Sequence, residues 1–126
     1  NDDHRFNLMF GAGGIYSTLE DMYRWDQALY TDKLVKKSTL TQAFTPAKLN
    51  KGIESSYGFG WVIGARNGYA CLVHGGGWVG FRTHIARYPE AKFTVVVLAN
   101  RGDANPGKYV DAITDIYLEP MPEGKK

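Results

Sequence analysis

Cysteine is nearly absent from this chain: Cys71 is the only one, which excludes a disulfide framework and a cysteine-ligated zinc site. It lies in an apolar run and reads as a small core residue. Long apolar runs are missing as well. The longest, Val95 to Ala99, is far too short to cross a bilayer, and the amino-terminal residues lack the charged-then-apolar build of a signal peptide. Nor does charge of one sign dominate. The 15 Lys and Arg stand against 13 Asp and Glu, a formal net charge of +2, spread along the chain without a basic stripe; no nucleic-acid partner is expected. No internal repeat or low-complexity segment occurs. The 126 residues are 44% hydrophobic, enough for one core and one domain. The chain begins Asn1-Asp2-Asp3 without a methionine, so a segment of a longer polypeptide is expected.

Glycine, by contrast, is plentiful, and its densest cluster is His74-Gly75-Gly76-Gly77-Trp78-Val79-Gly80-Phe81. The apolar run Tyr69 to Val73 precedes it, so His74 falls where a strand is expected to end. Glycines there leave one side of the backbone bare, and a ligand can approach its N–H and C=O groups closely. The local pattern fits equally well a glycine-rich turn between antiparallel strands, with His74 satisfied at its rim.

Asn1 to Phe10 shows no period and reads as an irregular arm; Gly11-Ala12-Gly13-Gly14 suits a tight passage of backbone. Ser17-Thr18-Leu19-Glu20 then has the capping-box pattern, with Ser17 as the cap of a helix over 18–30 whose apolar face is Leu19, Met22, Trp25 and Leu29. A shorter helix over 38–44 is capped by Ser38 and stopped before Pro46. From Tyr57 the period becomes two, with Tyr57, Phe59, Trp61 and Ile63 heavy against Gly58, Gly60 and Gly64, a strand. Asn67-Gly68 turns it into a second strand, Tyr69 to about Gly75. A second hairpin joins Phe81–Tyr88 to Phe93–Ala99 through Pro89-Glu90-Ala91-Lys92. Its far arm is apolar on both faces, which predicts a central strand covered on both sides and, in two hairpins alone, an open edge that the N-terminal arm or another chain covers. Asn105-Pro106 starts a last helix, lined by Tyr109, Val110, Ile113, Ile116 and Tyr117 and ended by Pro120; Met121 to Lys126 is a charged tail. The order predicts an α+β fold, an antiparallel sheet of about four strands with flanking helices.

Four segments in order, Gly13-Gly14-Ile15-Tyr16-Ser17-Thr18 with Asp21, Tyr57-Gly58-Phe59-Gly60-Trp61, His74-Gly75-Gly76 with Gly80-Phe81, and Val95 to Asn100, resemble the serine beta-lactamase and D-alanyl-D-alanine peptidase-like hydrolases. The likeness is strongest to the class C lactamase and esterase-like branch, over roughly Gly11 to Leu118, and to the C-terminal part of that family's fold. The resemblance implies that His74-Gly75-Gly76 is the family's third catalytic motif in its His form. By the same resemblance His74 supplies a hydrogen bond or positive charge, the Gly77 N–H is an oxyanion-hole donor, and Gly75, Gly76 and Trp78 touch the substrate. It further implies no cofactor, a small-molecule or peptide substrate, and an extracytoplasmic bacterial setting.

The family's nucleophile motif, Ser-x-x-Lys, and its proton-shuttling Tyr-x-Asn motif occur at none of Ser17, Ser38, Ser55 and Ser56 and at none of the eight tyrosines. In the family both lie N-terminal to this stretch. The chain is therefore expected to supply one wall of a hydrolase site, to be inactive alone, and to have the missing N-terminal part of the domain as its partner. The alternative is a non-catalytic module that uses the same sheet to bind peptides or proteins. A weaker reading takes His74, His84 and Asp103 as metal ligands. Trp61 and His84 read as structural, and Arg82 as either a solvated strand residue or a contact for an anionic substrate group.

Overall fold

The structure, a computed structural model, describes residues 13–53 and 55–122. The arm Asn1 to Phe10, Gly11-Ala12 and the end of the charged tail lie outside the described residues. Helices α1 (Leu19–Ala28) and α2 (Lys37–Ala43) come first, then strands β1 (Val62–Arg66), β2 (Tyr69–Trp78), β3 (Phe81–Tyr88) and β4 (Phe93–Ala99), then helix α3 (Pro106–Tyr117). The strands form one antiparallel sheet in the order β1-β2-β3-β4, the α+β arrangement expected.

Side chains alternate across each strand, so the register divides the sheet into two faces. Cys71, Ala86, Tyr88 and Val95 form one core with Val110 and Leu118, at α3. Leu72 and Ile85 form the other with Trp61, against Met22 and Leu29 of the α1 segment and Phe44. Strand β4 feeds Val95 to one core and Val96 to the other, which explains its unbroken apolar run. Among the described residues it stands at the end of the sheet with β3 as its one partner strand; the arm expected to cover its other edge lies outside them.

Several boundaries move for identifiable reasons. Thr18, not Ser17, caps α1: its Oγ1 accepts from the Asp21 N–H at 3.1 Å, making Thr18-x-x-Asp21 the working pair, while Ser17 donates to the Thr18 carbonyl. Ser38 lies inside α2, and the Asp32 carboxylate instead receives the Lys37 N–H at 2.8 Å. The strand predicted from Tyr57 begins at Val62; before it the chain doubles back, with Tyr57 bridging Val62 and the Gly58 N–H donating to the Trp61 carbonyl. In α3 the buried line is Pro106, Val110, Thr114 and, just beyond, Leu118, a spacing of four, whereas Tyr109, Ile116 and Tyr117 are 60, 72 and 73% exposed.

The hairpin turns are well specified. Asn67 and Gly68 take φ of 53° and 84° as a two-residue turn requires, and the Asn67 side chain donates to the Leu118 carbonyl at 2.8 Å. At the β2–β3 hairpin the turn is Val79-Gly80, with φ of 27° and 88°. A β-branched residue at positive φ is a strained conformation. It lies at the tip of the strand that carries the glycine cluster.

Candidate functional site

The glycine cluster is strand, not turn. Strand β2 continues through Gly75, Gly76 and Gly77 to Trp78, held by β3 in the register His74↔Ile85, Gly75↔His84, Gly76↔Thr83, Gly77↔Arg82 and Trp78↔Phe81. Glycine has little strand propensity of its own, but here cross-strand neighbours crowd the space a side chain would take, most tightly at Gly76. A Cβ at Gly76 would stand 2.5 Å from Thr83 Oγ1, one at Gly75 3.1 Å from His84 Nδ1, and one at Gly77 3.2 Å from Arg82 Nη1.

Where the backbone groups of this strand point follows from the register. A two-residue hairpin closes on a hydrogen-bonded pair, here Trp78 with Phe81, and hydrogen-bonded and non-bonded pairs then alternate along the ladder. The peptide groups of Trp78, Gly76 and His74 thus turn towards β3, and those of Gly77 and Gly75 turn the opposite way. The Arg66/Tyr69 closure of the first hairpin leads to the same parity, with Cys71 and Val73 facing β1. Strand β1 pairs only as far as Val62↔Val73. Beyond that point, among the described residues, no strand covers the side that the Gly75 and Gly77 amides face. The ladder does not consume the Gly77 N–H.

On the face shared with Leu72 lie His74, Gly76 and Trp78, so His74 and Trp78 flank a glycine over which the Thr83 side chain leans. His74 is exposed, and its Nε2 lies 2.9 Å from the Tyr57 hydroxyl. Trp78 is half-buried, near Gly13. From sequence Tyr57 reads as a heavy strand residue opening a family motif and not as a site residue; it stands 17 residues from His74, and only the fold of the β1 approach joins them.

His84 projects to the opposite face, where its ring meets Gly107 at the start of α3 and Gly75 above it. This separates the two histidines and rules out the metal reading that paired them; among the described residues no cluster suited to a metal is present. Burial holds the His84 imidazole below its ordinary range, His74 pushes the same way, and Asp111 opposes both. The unfolded chain therefore takes up the proton first, as pH falls past about 6.5. Stability from this group is complete above that pH and declines until the lower folded value is reached. Urea midpoints of the natural chain are expected to fall between about pH 7 and 5 more than those of His84→Gln; equal slopes would contradict this account.

Arg82 lies along the bare side of Gly77, its Nη1 donating to the Phe81 carbonyl at 2.9 Å. Trp61 is a core residue, stacked on Trp25 with ring centroids 6.0 Å apart.

A four-stranded antiparallel sheet with helices on both faces, and a His-Gly-Gly strand that among the described residues pairs on one side only at its far end, set the class of this chain. The chain belongs to the Beta-lactamase family, whose pattern it matches over residues 1–117. It is 39% identical over 92 residues to a penicillin-binding protein of Bacillus subtilis strain 168, covering 72% of this chain and 20% of that protein. It is 30% identical over 126 residues to the D-alanyl-D-alanine-carboxypeptidase/endopeptidase AmpH of Escherichia coli K12, covering 86% of this chain and 32% of that one. A D-aminopeptidase of Gluconobacter oxydans is 27% identical over 94 residues, 75% of this chain and 18% of that protein. The chain thus spans about a fifth to a third of the length of these relatives.

Proposed function

We propose that this chain is the strand wall of a serine hydrolase site that cleaves an amide, lactam or ester through an acyl-enzyme. The observation that carries this reading is the Gly77 N–H on the unpaired side of β2, three residues past an exposed His74. In this reading the Gly77 amide donates to the oxyanion that develops as the carbonyl is attacked, an interaction contributing about 3 kcal/mol to the barrier. His74 supplies a second hydrogen bond or, when protonated, a positive charge. Gly75 and Gly76 let the substrate lie against the backbone, and Trp78 forms the rim.

The nucleophile and its proton shuttle come from polypeptide outside this sequence, and that part is the chain's partner. Phe59 in the approach to β1, Val79 at the β2–β3 turn and Phe81 at the start of β3 are exposed apolar side chains that such a partner would cover. The family match and the names of the relatives, which include a carboxypeptidase/endopeptidase and an aminopeptidase, favour a peptide amide with a D-residue beside the scissile bond.

The chain alone is expected to show no serine-dependent turnover of a chromogenic lactam or a 4-nitrophenyl ester. Joined to its own upstream segment, it is expected to gain the mass of an acyl group when treated with a penicillin. Turnover by the chain alone would overturn the division of labour. An upstream reading frame without Ser-x-x-Lys would favour the binding-module alternative instead.

A further inference from the structure

Tyr57 and His74 meet edge-on, with ring centroids 6.1 Å apart and planes at 60°, and the phenol oxygen lies 2.9 Å from Nε2. We propose that Tyr57 is a positioning residue for His74: its hydroxyl donates into Nε2, holds the neutral imidazole as the Nδ1–H tautomer, and leaves Nδ1 as the nitrogen that meets a substrate group. The proposal rests on the reading of the His74 strand as a wall of the hydrolase site.

The backbone that delivers the phenol is clamped from several directions. The Tyr57 N–H donates to Ser55 Oγ at 2.8 Å, and its carbonyl accepts from the Ala47 N–H at 2.9 Å. On either side, the Ser56 carbonyl accepts from the Ile63 N–H at 2.7 Å and the Gly58 N–H donates to the Trp61 carbonyl at 2.8 Å, forming the bridge to Val62. Gly58 sits so close to the Ala43 carbonyl that a side chain there would collide with it. His74, for its part, is fixed in the β2–β3 ladder opposite Ile85. Two rigid pieces of backbone therefore present the rings to each other.

This investment does not serve the core. Tyr57 is 42% exposed and belongs to neither core cluster. Its hydroxyl contact orients the exposed imidazole of His74. Of the two possible directions for the bond, donation from the hydroxyl matches the chemistry: a phenol O–H is a good donor, and the unprotonated nitrogen of a neutral imidazole is a good acceptor. With Nε2 so occupied, a hydrogen bond from His74 to a reacting group has to come from Nδ1–H.

The tautomer is read directly by two-bond proton–nitrogen correlation spectra of the chain labelled with nitrogen-15 at histidine, at about pH 8, where imidazoles are neutral. His74→Gln assigns the signals. The natural chain is expected to show His74 protonated on Nδ1. Tyr57→Phe keeps the ring and removes only the hydroxyl, so it is expected to return His74 to the Nε2–H form that free imidazole side chains favour, with the backbone amide spectrum elsewhere unchanged. An Nε2–H tautomer in the natural chain, or one unmoved by Tyr57→Phe, overturns the proposal. In the hydrolase that includes the upstream segment, Tyr57→Phe is expected to lower kcat on the order of tenfold with KM nearly constant, as a misaimed catalytic group does. A tautomer pinned as expected together with activity indifferent to His74→Gln overturns the site reading while upholding the Tyr57 contact, which keeps the two failures apart.

Discussion

Gly77→Pro is expected to lower kcat of the acylation-competent polypeptide by about 10²- to 10³-fold, because proline removes the amide proton that the proposed function has donating to the oxyanion. Proline is tolerable here for the same reason that the amide is useful. The Gly77 N–H does not pair with β3, so its loss breaks no ladder bond. The control is Gly77→Ala, which keeps the N–H and adds a Cβ 3.2 Å from Arg82 Nη1, the far end of a flexible side chain that can yield. Alanine is therefore expected to cost less than about tenfold, well short of the loss of a donor. Measuring kcat and KM for both variants, with thermal midpoints to confirm that each is folded, separates the two contributions. Equal losses would make crowding, not the missing donor, responsible, and the oxyanion assignment would fall.

The largest effect on stability is expected from Asp26→Ala, at about 3–5 kcal/mol. Arg87 is 1% exposed, and its Nε donates to Asp26 Oδ1. The same oxygen accepts from Thr94 Oγ1 at 2.9 Å, and Oδ2 accepts from the Gln27 amide at 3.1 Å. The guanidinium carbon lies 5.1, 5.8 and 6.0 Å from the ring centres of Tyr30, Phe44 and Trp61, contacts that favour a cation. Removing the carboxylate leaves a buried positive charge without its anion, and that loss is a large part of the roughly 5–15 kcal/mol that stabilises an ordinary domain. Replacing both partners, as Asp26→Leu with Arg87→Met, is expected to recover much of it, since no charge then remains to be desolvated. Urea unfolding of the single and double variants checks this. A single variant within about 1 kcal/mol of the natural chain would show that water reaches Arg87 and that the pair is not a buried one.

Much of the layout was legible because it depends on local chemistry. Asn67-Gly68 can turn only one way at positive φ, Asn105-Pro106 starts a helix because its side chain accepts the Lys108 N–H, and the doubly apolar Phe93–Ala99 has to be covered on two faces. The less legible parts all depend on partners distant in sequence. The helix-face reading of α1 named Leu19, Met22, Trp25 and Leu29, and Met22 and Leu29 do pack against a core, but Leu19 is exposed and the residue α1 buries is Asp26, whose carboxylate meets Arg87 on β3. No periodicity rule places a carboxylate inward. Likewise Gly75, Gly76 and Gly77 suggest a turn when read alone, and it is the pairing with His84, Thr83 and Arg82 that extends them.

What the sequence determined by itself is the set of elements, the α+β class and the position of His74 beside bare backbone, since each follows from side-chain size, spacing and turn chemistry within a few residues. Tertiary structure alone decided that the Gly77 amide faces a side that no strand pairs among the described residues, that His74 and His84 part to opposite faces, and that Tyr57 reaches His74. Those facts come from hydrogen-bond parity, from the two-residue alternation of a strand and from where β1 stops, and all three need a partner strand in place before they have any meaning.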